Sequence, residues 1–139
     1  LGKQLDLEST ISIGAVVTTM DIISFTKIGK RTVNAKAMSN KTVAAKLFVY
    51  GLEKNDVLIP TCGFGDYLYY AMWISGTHAL SSFGMSYVFV AFMVCVGTII
   101  QSITVKVLSK RDGFKGFPGT VFPFLCTVLA YLLLYYQGI

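Results

Sequence analysis

Apolar and polar positions divide the chain into four long apolar runs separated by polar, mostly basic segments. The runs cover about 10–28, 61–80, 85–105 and 117–136. Each is close to the roughly 20 residues that an α-helix needs to cross a bilayer. Thr10, Ser12, Thr18, Thr19, Asp21 and Ser24 interrupt the first run, as expected of a helix that faces other helices and not lipid on every side. Gly97 and Gln101 are the notable interruptions of the third. Pro118 and Pro123 stand in the first turns of the fourth, where a missing N–H is tolerated, and Tyr131, Tyr135 and Tyr136 crowd its far end like an interfacial belt. Leu1 to Ser9 is a short polar lead.

The longest polar stretch is 29–60. Within it, Thr32–Lys46 reads as a basic amphipathic helix with Val33, Ala37, Val43 and Ala44 on its apolar side. Leu47-Phe48-Val49-Tyr50 and Val57-Leu58-Ile59 are short runs of β-forming residues around a polar connection. They predict a short β-hairpin leading into Gly63, with an irregular loop as the alternative. The expected fold is therefore an all-α polytopic membrane protein. It is one membrane domain over 1–139 with four transmembrane helices and a possible hairpin before the second.

Composition agrees with that class. Of 139 residues, 54% are hydrophobic and 14% charged, with a mean hydropathy of +0.64; soluble domains carry about a quarter charged residues. Four spans use more than half of the length, so no second, soluble domain is expected. No short apolar run with a small-residue cleavage site opens the chain, which argues against a signal peptide. Leu1 in place of Met suggests a fragment or a processed chain, in which case upstream helices of the same protein become partners.

The net charge of +5 gathers in two places: Lys27, Lys30, Arg31, Lys36, Lys41 and Lys46, then Lys106, Lys110, Arg111 and Lys115. Such clusters can bind nucleic acid or anionic lipid. Lying between spans, they read more simply as cytoplasmic loops, 29–60 and 106–116, that obey the positive-inside rule. That places both chain ends outside, in a multi-pass protein of the cell membrane, or of an endomembrane in a eukaryote, with no nucleic-acid partner. Asn40-Lys41-Thr42 matches the glycosylation pattern by chance if its loop is cytoplasmic. Cys62, Cys95 and Cys126 form neither a disulfide framework nor a metal spacing, and no metal or cofactor is expected.

Two acids change the picture. Asp66 closes Gly63-Phe64-Gly65-Asp66 and Asp21 lies within the first span. A carboxylate in a span is costly and marks a functional site by default, and glycines beside it let another backbone approach. Asp21 lies six residues before Lys27, and Asp66 six after Pro60. At ~1.5 Å per residue both sit roughly 9 Å inside the same boundary. Two carboxyl groups brought together share one proton. One can then activate water while the other protonates or polarises a carbonyl, and the apparent pKa values belong to the pair. The plainer role for Asp66 is a structural interhelical hydrogen bond. His78 reads as an interfacial side chain and Gln101 as a group that satisfies a neighbouring helix.

Gly63-Phe64-Gly65-Asp66, Met20-Asp21-Ile22-Ile23-Ser24-Phe25, Ala44-Ala45-Lys46-Leu47-Phe48-Val49 and Pro118-Gly119-Thr120 stand in an order that resembles the presenilin and signal peptide peptidase family. This is the G-x-G-D class of intramembrane aspartyl proteases, and the resemblance is to the C-terminal half of an archaeal-type homologue. It implies spans six to nine of a nine-helix fold, with Asp21 and Asp66 catalytic. Gly63, Phe64, Gly65, Pro118, Gly119 and Thr120 would contact substrate, and Leu47, Val49 and Leu58 would hold an unwound peptide by strand addition. Two departures stand out. Met20 replaces a tyrosine, and of the family's Pro-Ala-Leu only the proline remains.

The expected activity is an endopeptidase acting on transmembrane peptide substrates within the lipid bilayer. A prepilin peptidase-like enzyme, which also uses a G-x-G-D aspartate, is the second enzymatic reading. It lacks support from an Ile-Pro-Asn-like turn after the first aspartate. The non-enzymatic alternative is a transporter or bundle subunit that uses the acid pair as a proton or cation site.

Overall fold

The computed structural model describes residues 5–24, 26, 48–52, 58–80, 84–108 and 117–137. Helix α1 covers Leu7–Ser24. It begins where Asp6 accepts a hydrogen bond from the Ser9 N–H at 2.7 Å, as an N-cap carboxylate does for the third helical residue. Strands β1 (Phe48–Leu52) and β2 (Leu58–Gly63) form an antiparallel pair. Helix α2 (Phe64–Gly76) leaves β2 directly and ends in a 3-10 turn, Thr77–Ala79. Helix α3 covers Gly84–Leu108 and α4 Val121–Gln137.

Small residues set the helix spacing. The buried stripe of α1 is Thr10, Gly14 and Thr18, one face at four-residue steps. A Cβ on Gly14 would lie 2.4 Å from Phe124 Cε2 and 2.9 Å from Trp73 Nε1, so α1 reaches α2 and α4 only because residue 14 has no side chain. The α3–α4 crossing is tighter. A Cβ on Gly97 would lie 2.5 Å from Pro123 Cα and 2.8 Å from the Phe122 carbonyl oxygen. Pro123 is the third residue of α4, a position whose N–H has no partner within the helix, so the proline costs nothing there.

Two apolar clusters fill the interior. Tyr70, Trp73 and Val94 pack with Phe124, between the middle of α2 and the start of α4, and Val90, Ala130, Tyr131 and Leu134 pack with Leu7, Ile11 and Ile74 toward the other end of α4. The Tyr131 hydroxyl donates to the Trp73 carbonyl and ties α4 to α2. Gly76 at the end of α2 lies against Thr10 near the start of α1, while Asp21 near the end of α1 bonds Thr120 at the start of α4. The helices therefore run alternately up and down. The end of α1 and the starts of α2 and α4 share one pole.

Four helices occur among the described residues, and two of them, α1 and α3, are long and apolar enough to cross a membrane. Several boundaries differ from the sequence expectation. The run at 61–80 is not one span: residues 61–63 belong to β2, and the α-helix that follows has 13 residues. Backbone pairing of Cys62 and Gly63 with β1, continued across the bulge at Thr61, takes these residues out of the helix. The last helix starts at Val121, so Phe117 to Thr120 form a turn ahead of it and Pro118 lies outside the helix. The first starts at Leu7, three residues early, because Asp6 is the cap.

The hairpin is present, which makes the chain not purely α. Its strands run past the expected limits: Gly51 and Leu52 belong to β1 and not to the connection, and Pro60 to Gly63 to β2. Tyr50 faces Pro60 while Val49 faces Cys62, a bulge at Thr61. It falls beside Pro60, which has no N–H to give to the ladder. The amphipathic helix expected at 32–46, the Asn40 glycosylation pattern, Leu47, Val57 and the basic residues 109–116 lie outside the described residues.

Candidate functional site

The turn at 117–120 is the meeting point of the other three helices. From α3, Gln101 Nε2 donates to the Pro118 carbonyl; the group that Gln101 satisfies is thus in a turn and not in a helix. From α2, the Tyr70 hydroxyl donates to the Gly119 carbonyl at 3.3 Å. From α1, Asp21 Oδ2 accepts from both the Thr120 N–H at 3.1 Å and the Thr120 hydroxyl at 2.9 Å. Backbone groups ahead of a helix have no partner inside it, and here side chains from elsewhere in the chain supply them.

Asp66 comes to the same turn from the other side. As the third residue of α2 it reaches back, and its Oδ2 accepts the Gly63 N–H at 3.1 Å, the returning half of a capping box. A Cβ on Gly119 would lie 2.9 Å from that Oδ2, and one on Gly63 3.3 Å. Gly119 and Gly63 are therefore the glycines that make room for the carboxylate. Gly65 has open space around it, so its lack of a side chain answers no close neighbour among the described residues.

A Cβ position and the following amide nitrogen are about 3 Å apart, so the contacts at Gly119 and Thr120 hold Asp21 Oδ2 and Asp66 Oδ2 within roughly 9 Å of each other. Both carboxyl groups are half-buried. Each acid also lies at the start of a helix, Asp66 in α2 and Asp21 beside the cap of α4, where backbone N–H groups favour negative charge.

The other expected site residues divide clearly. Val49 and Leu58 lie on the two hairpin strands, opposite Cys62 and Leu52, and the hairpin ends at Gly63 and so opens onto the Asp66 motif. Leu47 lies outside the described residues, and Phe64 begins α2. Pro118, Gly119 and Thr120 are present at the pole, but the Thr120 hydroxyl is engaged by Asp21. Met20 points away, 55% exposed on α1. Neighbouring side chains on a helix diverge by about 100°, which is why Asp21 faces in while Met20 faces out. His78 bonds the Tyr87 hydroxyl at 2.8 Å at the far end, distant from this turn. No group of three metal-binding side chains occurs among the described residues.

Tyr70 escapes a motif search, although a signal for it exists. It stands four residues after Asp66, on the same helix face, and is a buried tyrosine, whose hydroxyl needs a partner.

Comparison with known proteins finds no matching family model, no matching curated protein and no matching solved structure.

Proposed function

We propose that the chain is the catalytic part of an intramembrane aspartyl endopeptidase, with Asp21 and Asp66 as its paired acids. One observation carries this reading: two carboxylates 45 residues apart in sequence both close on the Gly119–Thr120 peptide. In the reaction, a water oxygen bonds to the scissile carbonyl carbon and gives a proton to one carboxylate. The other, protonated, acid gives its proton to the carbonyl oxygen, forming a gem-diol. Proton transfer to the amide nitrogen then releases the amine as the C–N bond breaks and the acid forms.

A multi-pass membrane setting is part of the proposal. Along α3, Met85, Val88, Phe92, Ile99, Ile103 and Val107 are all exposed. At ~1.5 Å per residue that stripe runs about 33 Å, close to the ~30 Å hydrocarbon thickness of a bilayer. Soluble proteins seldom expose an apolar surface of that extent. The hydroxyls of Thr19, Ser24, Ser102 and Thr104 each donate to the carbonyl four residues earlier, at 2.7 to 2.9 Å. Polar groups on an outer face are thus satisfied within their own helices, as lipid requires. The substrate class is a transmembrane peptide, unwound and held along the hairpin edge by strand addition.

The test is cleavage of a helical membrane peptide by the whole protein in liposomes. Asp21→Asn and Asp66→Asn should each slow product formation by about 10²–10⁴-fold while leaving the fold intact, since the amide oxygen still accepts the cap bonds. A hydroxyl-bearing transition-state mimic should block the wild type. Cleavage at the wild-type rate in either variant would overturn the proposal.

A second reading rests on a specific observation. Both acids accept from the first backbone N–H groups of a helix, Gly63 for α2 and Thr120 for α4, which is also what purely structural caps do. In that case the chain is a bundle or transport subunit. Wild-type liposomes then yield no peptide product, and ion flux, if present, follows a pH or cation gradient.

A further inference from the structure

We infer that Thr120 is a positioning residue for Asp21: its hydroxyl and N–H, delivered from the start of α4, hold one oxygen of this acid in place. The inference rests on the protease reading above and deepens it. Met20 carries no hydroxyl and faces outward, so α1 itself offers Asp21 no oriented donor from the preceding position. Thr120 does, across 99 residues of sequence, and three features fix it there.

First, Thr120 is 1% exposed, so its side chain has no freedom to trade Asp21 for solvent. Second, its backbone is held at both ends. Its own N–H donates to Asp21 Oδ2 at 3.1 Å, and its carbonyl accepts the Phe124 N–H at 2.9 Å, the first hydrogen bond of α4. Third, the two peptides before it are pinned by Gln101 at Pro118 and by Tyr70 at Gly119. A short side chain on a turn held from three helices is a rigid pointer.

Both Thr120 donors fall on the same carboxylate oxygen. With Oδ2 engaged twice, the geometry points to Oδ1 as the oxygen that takes the proton of the attacking water. Gly119, one residue earlier, completes the device. Its missing Cβ lets Asp66 approach the other side of the same peptide to 2.9 Å from where that carbon would be. Pro118-Gly119-Thr120 therefore departs from Pro-Ala-Leu in two linked ways: one residue yields space to Asp66 and the next gives a hydroxyl to Asp21. Neither a leucine nor an alanine side chain can donate.

The experiment compares Thr120→Val, Thr120→Ser and wild type as full-length protein in liposomes. Three measurements are made on each: peptide cleavage, thermal unfolding, and the infrared band of the Asp21 carboxylate, identified by difference against Asp21→Asn. Valine keeps the shape and the backbone donor and removes only the hydroxyl. Thr120→Val should lower kcat about 10- to 100-fold with KM held within about twofold, because a reacting group displaced by a fraction of an ångström loses transition-state contact and not ground-state binding. Thr120→Ser should restore most of the rate, and the carboxylate band should shift in Val but not in Ser.

An active Thr120→Val protein with wild-type kcat, or one whose loss tracks only its unfolding temperature while the band stays put, overturns the inference. Wild-type protein that cleaves nothing defeats the protease reading instead. The band then decides separately whether Thr120 holds Asp21: a shift in Val sustains the contact, and an unmoved band removes it.

Discussion

Gly97→Ala tests whether the helix spacing and the paired acids are one construction. The new Cβ would stand 2.5 Å from Pro123 Cα and 2.7 Å from Pro123 N. Both are backbone atoms of the first turn of α4, so no side chain can swing aside. Ordinary contact begins at 3.4 Å, which requires about 0.9 Å of separation between α3 and α4. Overpacking of this kind costs typically about 1–3 kcal/mol, and this case belongs near the upper end because the obstacle is main chain.

The displaced turn carries Thr120 only three residues before Pro123, and Gln101 lies four residues after Gly97 on the same helix face. Moving α4 outward therefore pulls Thr120 from Asp21 and Gly119 from Asp66 together. A misplacement near 1 Å can cost about 100-fold in rate. The assay pairs denaturant unfolding in detergent with peptide cleavage at a temperature where the variant remains folded. The expected result is a loss of about 2–3 kcal/mol together with a 10- to 100-fold slower cleavage. Stability within about 0.5 kcal/mol of wild type would refute the claim that α3 and α4 touch backbone to side-chain-free backbone at residue 97.

Three further outcomes follow from the same contacts. Asp21→Asn and Asp66→Asn should each slow cleavage by about 10²–10⁴-fold while circular dichroism and melting stay close to wild type. Gln101→Met removes the donor to the buried Pro118 carbonyl. The loss is partly offset because Gln101 Oε1, unpartnered among the described residues, goes with it, leaving a net cost of about 1–2 kcal/mol measurable by unfolding. Asp6 gives a pH dependence: the Ser9 side chain, then the Ser9 backbone N–H, holds its carboxyl below its usual value of 3.8. A depressed folded-state value means that the cap stabilises above that usual value and weakens as pH falls through the lower one. The protection of the first α1 amides, relative to their exchange rate in an unfolded peptide at the same pH, should therefore fall at the acid end in wild type and stay level with pH in Asp6→Asn.

Much of the site could be picked out residue by residue. Asp21 and Asp66 stand out because an acid in an apolar run needs a reason, and their equal distances from the basic and polar boundaries suggested a shared pole. Pro118 was expected within the first turns of the last helix, and only the structure sets Pro118-Gly119-Thr120 ahead of it as a turn. Thr120 as the partner of Asp21 was not legible, since a threonine beside a proline carries no mark of what its hydroxyl will meet 99 residues away. Tyr70 and Gln101 were visible only as a tyrosine and a glutamine in apolar surroundings. The expected span at 61–80 failed for a related reason. Thr61, Cys62 and Gly63 are apolar or small enough to continue a helix, and only the pairing with β1 turns them into strand.

By itself, then, the amino-acid order determined the apolar class of the chain, the existence of the four helices among the described residues and the two acids that need a reason. These are properties of local composition and periodicity, written in consecutive residues. The tertiary structure alone decided which glycines matter and what Asp21 touches. Gly14, Gly97 and Gly119 admit a neighbour's atoms where Gly65 admits none. Close approach and hydrogen-bond partnership depend on how distant segments cross, a quantity that no window of sequence contains.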